Sequence, residues 1–133
     1  MDKVIWIHFD GGHRKEHGGV GGFVAFDPKG YCVGGMSLYF GSRAKTSNEA
    51  ELLALERTGK WIESSTTIAA GSPWILIGDS EIAINFLLGR YKPNKTLFTS
   101  IVREIKQMAI RMKWPYGYKH VPRTQNEFAD WLA

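Results

Sequence analysis

Four acidic residues lie in four separate segments, and three of them stand where apolar sequence would otherwise be expected to continue. They are Asp10 in IHFDGG, Glu51 in TSNEAELLAL, Asp79 in WILIGDS and Asp130 in NEFADWLA. Burying an isolated carboxylate is costly, whereas carboxylates that share a divalent cation offset that cost. We therefore interpret the four acids as one metal site, and the fold must bring distant parts of the chain together.

The first third of the chain is predicted to form three strands. Segments 4–10 (VIWIHFD), 19–27 (GVGGFVAFD) and 31–40 (YCVGGMSLYF) are rich in aromatic and β-branched residues, and residues 27–30 (DPKG) form a turn signal between the last two. Short connections of this kind join antiparallel neighbours. The prediction is an antiparallel meander.

A helix is predicted to follow the meander. Thr46 can cap its N-terminus, and Glu49, three residues later, can return the hydrogen bond. Leu52, Leu55 and Ile62 then recur at helical spacing over about four turns. Glu51 therefore falls in the first turns of this helix.

The second half of the chain is predicted to mix strands and helices, which gives the order β-β-β-α-β-α-α-β-α. Strand ends are the usual place for sites in open α/β sheets, and Asp10 and Asp79 each lie at or near the end of a predicted strand. We expect one domain, 1–133, with helices on the faces of a mixed sheet. The remaining elements are a buried strand at 73–77, a helix from Ser80 to near Gly89, a helix at 97–112, a strand at 116–121 and a helix from Thr124.

Charge and hydropathy narrow the possible partners. The chain has 17 Lys and Arg against 13 Asp and Glu, a net charge of +4. A basic surface favours polyanions such as nucleic acid, although the same balance also fits an ordinary soluble surface. No apolar run approaches the ~18 residues needed to cross a bilayer. With no secretory leader evident, we expect an intracellular, cytoplasmic protein, monomeric by default, that does not contact membranes.

Taken together, these segments resemble the type 1 ribonuclease H family, endonucleases that cut the RNA strand of RNA/DNA hybrids. The resemblance spans nearly the whole chain and rests on several motifs in the family's order. It implies the ribonuclease H-like α/β fold, a five-stranded mixed sheet in which three antiparallel strands precede parallel ones, flanked by helices. The motifs are FDGG with HGGVGGFVAF, TSNEAELLAL, GDSEIAINFLLGRYKP and HVPRTQNEFADWLA.

The resemblance also implies a catalytic site and its metal. Two Mg²⁺ ions, or Mn²⁺, would be held by carboxylates and would drive hydrolysis to 5′-phosphate and 3′-hydroxyl ends. In the family, the residue that matches Asp10 bridges both ions. The residues that match the family's catalytic and metal-binding set are Asp10, Glu51, Asp79 and Asp130.

Substrate contacts are implied less sharply. Glycines after the first Asp let the family's backbone approach the RNA minor groove, and polar residues contact the DNA strand or lie near the active site. Turn and capping roles explain the same residues equally well, so both interpretations stay open. The matching positions are Gly11, Gly12, Thr46, Asn48 and Asn126.

The chain departs from the family in two segments. Residues 13–17 (HRKEH) replace a Gly-Asn-Pro-Gly loop, and 89–95 (GRYKPNK) join two helices directly, without the basic helix of many bacterial members. We therefore expect modest, salt-dependent affinity for the hybrid. His120 is predicted to end the last strand.

Three other classes remain to be weighed against the nuclease. The main alternative is a catalytically weak or inactive module of the same fold that binds hybrids or RNA. A junction resolvase or transposase-type nuclease would bring DNA-binding extensions or a dimer surface, which this sequence does not show. A metal-free structural protein leaves the four acids unexplained.

Overall fold

The computed structural model spans the whole chain, and three antiparallel strands, two helices and two further strands make up most of what it describes. The described residues are 4–14, 18–65, 68, 72–79, 84–85, 96–111 and 117–125. In chain order the elements are β1 (Ile5–Arg14), β2 (Gly18–Phe26), β3 (Cys32–Gly41), α1 (Ser47–Ser64), β4 (Trp74–Gly78), α2 (Thr96–Arg111), β5 (Gly117–His120) and a 3₁₀ turn (Arg123–Gln125).

The strands form one five-stranded sheet in the order β3-β2-β1-β4-β5. β1, β2 and β3 pair antiparallel. β4 is parallel to β1, and β5 is parallel to β4. The predicted meander and the predicted five-stranded mixed sheet are both confirmed.

The β2–β3 turn shows why the meander closes where the sequence predicts. The Asp27 carboxylate accepts hydrogen bonds from the backbone N–H groups of Lys29 and Tyr31, both at 2.9 Å. Gly30 has φ +89°, a conformation that disfavours other residues. The turn is therefore fixed by its own side chain and by one glycine.

β1 is longer than the sequence predicts. It continues to Arg14, because residues 11–14 pair with 18–21 of β2, Gly11 opposite Gly21 and Arg14 opposite Gly18. Glycines do not show the alternation of apolar and polar side chains that marks a strand. The strand pattern in the sequence therefore ends at Asp10, although the backbone pairing continues to Arg14. His13 lies in this extension rather than in a loop.

Two predicted helices fall mainly outside the described residues. In the helix predicted from Ser80, only Ile84 and Asn85 are described, and both are helical. Of the predicted final helix, only the 3₁₀ turn at Arg123–Gln125 is described. Asn126 and Asp130 lie outside the described residues.

The core lies between one face of the sheet and the two helices. α1 packs against α2 at Gly59, where a Cβ atom would lie 2.5 Å from Cδ1 of Ile105, so a larger residue would require the Ile105 side chain to shift. Each fully buried apolar side chain contributes roughly 1.5–3 kcal/mol to folding. Core residues from the sheet and both helices include Ile5, Ile7, Phe9, Phe23, Leu52, Leu55, Ile62, Leu76, Ile101 and Ile105.

Neither described helix combines the length and the apolarity that crossing a bilayer requires.

Candidate active site

Asp10 and Asp79 are placed side by side by the parallel pairing of two strands. β1 and β4 run in the same direction, and the last pair in their register is Phe9 with Gly78. Asp10 and Asp79 come next along the chain, so Asp79 follows the end of β4 beside Asp10, which lies within the longer β1. Strands in a sheet lie roughly 4.8 Å apart, so these two carboxylates start from closely spaced backbones.

Glu51 reaches this end of the sheet from the N-terminal part of α1. The helix starts at a cap in which the Glu49 backbone N–H donates to Thr46 Oγ1 at 3.2 Å. The Thr46 hydroxyl donates in turn to Glu49 Oε2 at 3.1 Å. The predicted cap is confirmed, and the Glu49 carboxylate accepts its hydrogen bond from the Thr46 hydroxyl. Glu49 is thus committed to capping, while Glu51 points inward and is 8% exposed.

Gly11 allows α1 to approach β1 closely. A Cβ atom at Gly11 would lie 2.5 Å from the Ala50 carbonyl and from the Glu51 backbone nitrogen. At Gly12 the same atom would meet nothing within 4 Å. The need for glycine at position 11 therefore has a packing cause that the sequence did not reveal, whereas the backbone at Gly12 is open.

The three acids converge in space. Asp10, Glu51 and Asp79 each offer a carboxylate oxygen, and these oxygens all lie within 4.8 Å of one another. Asp10 is 6% exposed, and the Gly11 N–H donates to its Oδ1 at 2.9 Å. Three of the four predicted site residues are thus brought together.

Electrostatics in the cluster disfavour three negative charges. Burial raises the pKa of Glu51 far above its ordinary value of 4.5, the Asp10 carboxylate raises it further, and Asp79 adds a smaller effect in the same direction. A hydrogen bond from the Gly11 backbone opposes the shift only in part. Without a counter-charge, Glu51 is therefore held in its neutral form.

The donor set fits a hard divalent cation. Glu51 Oε2 is buried and has no hydrogen-bond partner within the part of the chain that the structure describes. A buried acceptor without a partner loses about 1–3 kcal/mol of solvation, and a cation bound there would restore it. Carboxylate oxygens are the ligands that Mg²⁺ and Mn²⁺ favour.

His120 lies beside the cluster. It ends β5, as predicted, and pairs in register with Gly78. Its Nε2 atom lies 3.2 Å from the backbone carbonyl oxygen of Asp79, and its side chain is exposed. This contact could not be predicted from the sequence, because it depends on the β4–β5 register.

Thr46 and Asn48 are exposed at the same end of α1 as Glu51. Thr46 is explained by its capping bonds, and Asn48 is an exposed polar residue on the first turn. The structure brings Gly12, Thr46 and Asn48 to the cluster's end of the sheet and helix, where a contact with substrate stays a prediction.

Comparisons with known proteins agree on one class. The model of a family described as reverse transcriptase-like matches residues 8–133. The chain belongs to this reverse transcriptase-like family. No curated protein sequence matches the chain significantly.

Several similar solved structures are RNase H1 enzymes, which confirms the resemblance to type 1 ribonuclease H drawn from the motifs. LC11-RNase H1, isolated from compost by a metagenomic approach, is 29% identical with a TM-score of 0.84, over 99% of this chain and 93% of that one. The same enzyme in complex with an RNA/DNA hybrid is 27% identical with a TM-score of 0.83, over 96% and 92%. RNase H1 from the archaeon Halobacterium salinarum is 26% identical with a TM-score of 0.75, over 98% and 94%.

Proposed function

We propose that this chain is a metal-dependent endonuclease that hydrolyses the RNA strand of RNA/DNA hybrids and leaves 5′-phosphate and 3′-hydroxyl ends. The observation that carries the proposal is the convergence of Asp10, Glu51 and Asp79 within 4.8 Å at one end of the sheet. It is supported by the similarity to an RNase H1 whose structure holds an RNA/DNA hybrid. Asp130 joins the catalytic set by resemblance.

Two Mg²⁺ ions, or two Mn²⁺ ions, are the proposed cofactors, held by Asp10, Glu51, Asp79 and Asp130. When bound, such ions activate the attacking water and neutralise charge on the leaving 3′ oxygen. The buried, unpartnered Glu51 Oε2 is the observation in favour of a cation at this place. The raised pKa of Glu51 agrees with it, because a nearby cation would return that carboxyl to its charged form.

The residues around the acids hold them in position. The β1–β4 register places Asp10 beside Asp79, and the Gly11 N–H orients the Asp10 carboxylate. The Thr46 cap fixes where α1 begins and hence where Glu51 points. Because these constraints are backbone pairings and hydrogen bonds, Asp10, Glu51 and Asp79 are arranged before any cation binds.

The hybrid is proposed to lie across the end of the sheet that carries the acids. Gly12 offers an open backbone to the RNA minor groove, where 2′-hydroxyl groups distinguish RNA from DNA. Thr46 and Asn48 offer exposed polar groups to the DNA strand. Asn126 joins the substrate contacts by resemblance alone. Contacts of this kind position the duplex without reading its sequence.

The test is cleavage of an end-labelled RNA/DNA hybrid beside matched double-stranded RNA and DNA, with Mg²⁺, Mn²⁺ or EDTA. We expect only the RNA strand of the hybrid to be cut, and only with metal. Asp10→Asn should lower the rate by more than about 10–100-fold, the loss typical of groups that merely support metal ligands. Glu104→Gln, at an exposed position on α2, removes a charge of the same sign and should leave the rate unchanged.

Other outcomes separate the alternatives. Binding of the hybrid without cutting under every metal would favour the inactive binding module. Cutting that persists in EDTA would overturn the metal-dependent mechanism. Equal cutting of double-stranded DNA would point to a different nuclease on the same fold.

A further inference from the structure

The outer edge of β3 offers backbone groups for another strand. β3 is the terminal strand of the sheet and pairs with β2 on one side. In an antiparallel strand, alternate residues direct their N–H and C=O groups away from the neighbour. No other described strand pairs with this side of β3, which is 10 residues long.

This edge lacks the charged residues and prolines that often keep edge strands apart, and the two register shifts of β3 against β2 lie near its ends. Residues 31–41 contain no charged residue and no proline, although such residues usually protect an edge from other strands. Large apolar side chains are exposed along it instead: Tyr31 (69%), Val33 (47%), Met36 (42%) and Tyr39 (72%). The edge is therefore suited to binding an added strand.

A groove runs between this edge and α1. Its volume is about 290 Å³, and its apolar floor is formed by Phe23, Met36 and Trp61. The Trp61 ring lies directly over the β3 backbone, since a Cβ atom at Gly34 would be 2.4 Å from its Cζ2 atom. Phe23 and Trp61 pack with ring centroids 5.7 Å apart. The groove is thus continuous with the strand edge.

The charged side chains that line the groove are all cationic. Arg57 and Lys60 are exposed on α1, and among the residues that the structure describes no acidic one lines the groove with them. Arg57 Nη2 lies 3.7 Å from Met36 Sδ, which brings its positive charge over β3. An anionic side chain placed beside β3 would meet this charge directly.

We propose that the outer edge of β3 binds an extended acidic segment of a partner protein as an added strand. The backbone of the segment would pair with β3, a recognised mode of peptide binding. Alternate side chains would face α1, about 4.8 Å beyond β3, where acidic groups meet Arg57 and Lys60. The proposal is independent of the nuclease function, because neither the edge nor the groove contains a proposed catalytic residue.

Charge disfavours a second copy of this chain as the occupant. Two β3 edges paired antiparallel about a two-fold axis would place both α1 helices on the same face of the joined sheet. Arg57 and Lys60 of one copy would then face the same residues of the other, and such like-charge juxtapositions are costly. An acidic segment meets the same groove with complementary charge.

The test uses the full chain and a labelled peptide of about eight residues, long enough to form a strand, with alternating valine and glutamate. A matched peptide has lysine in place of each glutamate. We expect the glutamate peptide to protect backbone amides of β3 from hydrogen exchange and the lysine peptide not to bind. The double variant Arg57→Glu/Lys60→Glu should weaken binding by at least about tenfold, since it replaces attraction with repulsion.

A matched control pair lies on the other helix. Arg103→Glu/Lys106→Glu makes the same change in net charge at exposed α2 positions outside the groove, and it should leave the peptide affinity unchanged. Far-ultraviolet circular dichroism and a thermal melt of both double variants would show that each is folded.

Three results would overturn the proposal. The first is protection that falls on residues away from β3, or equal binding of the lysine peptide. The second is displacement of the labelled glutamate peptide by a single-stranded oligonucleotide that competes better than the unlabelled glutamate peptide. That result would make the groove, with Arg57 and Lys60, a nucleic-acid site. The third is β3 protection that rises with protein concentration alone, with a dimer in sedimentation, which would make a second copy the occupant.

Discussion

Two neighbouring residues of β1 belong to two regions, the apolar core and the acidic cluster, in which burial has opposite effects on stability. Phe9 is fully buried in the apolar core, and Asp10, the next residue, is 6% exposed beside Glu51 and Asp79. Burying Phe9 stabilises the fold under all conditions, whereas burying the acids costs free energy until a counter-charge is present. One strand therefore supplies a core residue and a site residue at consecutive positions.

The largest effect is expected in the core. Phe9→Ala should lower the free energy of unfolding by about 3–5 kcal/mol, because it leaves a cavity under the sheet. Phe9 also fits closely against β4, since a Cβ atom at Gly78 would lie 2.7 Å from its Cε1 atom. Urea denaturation with and without Mg²⁺ would measure the loss.

Tyr39→Ala is the matched control, since it removes an aromatic ring that is 72% exposed. It should change stability by less than about 0.5 kcal/mol. If Phe9→Ala changed the free energy of unfolding as little as Tyr39→Ala, Phe9 would not belong to the stabilising core.

The second prediction concerns the acids. In metal-free protein at neutral pH, Glu51→Gln should raise the free energy of unfolding by about 1–3 kcal/mol, because folding no longer requires a buried carboxyl to take up a proton. With millimolar Mg²⁺ the order should reverse, since the wild type gains binding free energy that the variant largely lacks. Thermal melts in EDTA and in Mg²⁺ would show both effects.

The pH dependence has a defined sign. The folded-state pKa of Glu51 lies above its unfolded value of 4.5, so between these two values the folded protein binds more protons than the unfolded one. The stability of metal-free wild type should therefore fall as pH rises from about 5 to about 8. The stability of Glu51→Gln should depend less on pH. Equal pH dependence in the two proteins would contradict the raised pKa of Glu51.

The third prediction compares two adjacent glycines. Gly11→Ala should cost about 1–3 kcal/mol, because its Cβ atom would overlap the Ala50 carbonyl and push α1 away from β1. Gly12→Ala should change stability by less than about 0.5 kcal/mol, since its Cβ atom enters open space. Chemical denaturation would measure the free energy of unfolding of both variants and test this difference.

If cleavage is measured too, Gly11→Ala should also lower metal affinity, because Glu51 moves with the helix. A loss of activity in Gly12→Ala at unchanged stability would instead support a substrate contact there. Equal stability loss in both variants would contradict the close approach of α1 at Gly11.

The smallest effect is expected at the cap. Thr46→Ala removes the acceptor for the Glu49 N–H and should destabilise the protein by about 1 kcal/mol. Ser47→Ala, the next residue and also exposed, should be close to neutral. If Thr46→Ala lowers cleavage far more than a loss of this size explains, Thr46 also contacts substrate.

Local signals in the sequence predicted the elements well. The DPKG turn, the Thr46 cap and the short apolar run before Gly78 each depend on a few adjacent residues, so each can be recognised in the sequence. The extension of β1 could not, because glycines pair through their backbone without showing an apolar pattern.

The members of the site were predicted mainly from motifs, and local helix capping decided between two glutamates. Whether Glu49 or Glu51 faces the sheet depends on where α1 begins, and the capping pattern favoured Glu51. The contact of His120 with the Asp79 carbonyl and the close approach at Gly11 depend on three-dimensional register and packing, and neither leaves a mark in one sequence.

The parallel pairing of β1 with β4 has a kinetic consequence. Two strands and a helix separate them in the chain, and such non-local pairings form slowly during folding. Asp10 and Asp79 cannot meet until that pairing exists, so a cation that needs both acids recognises the finished fold and not its precursors. Bound metal should accordingly lengthen the lifetime of the native state without hastening its formation.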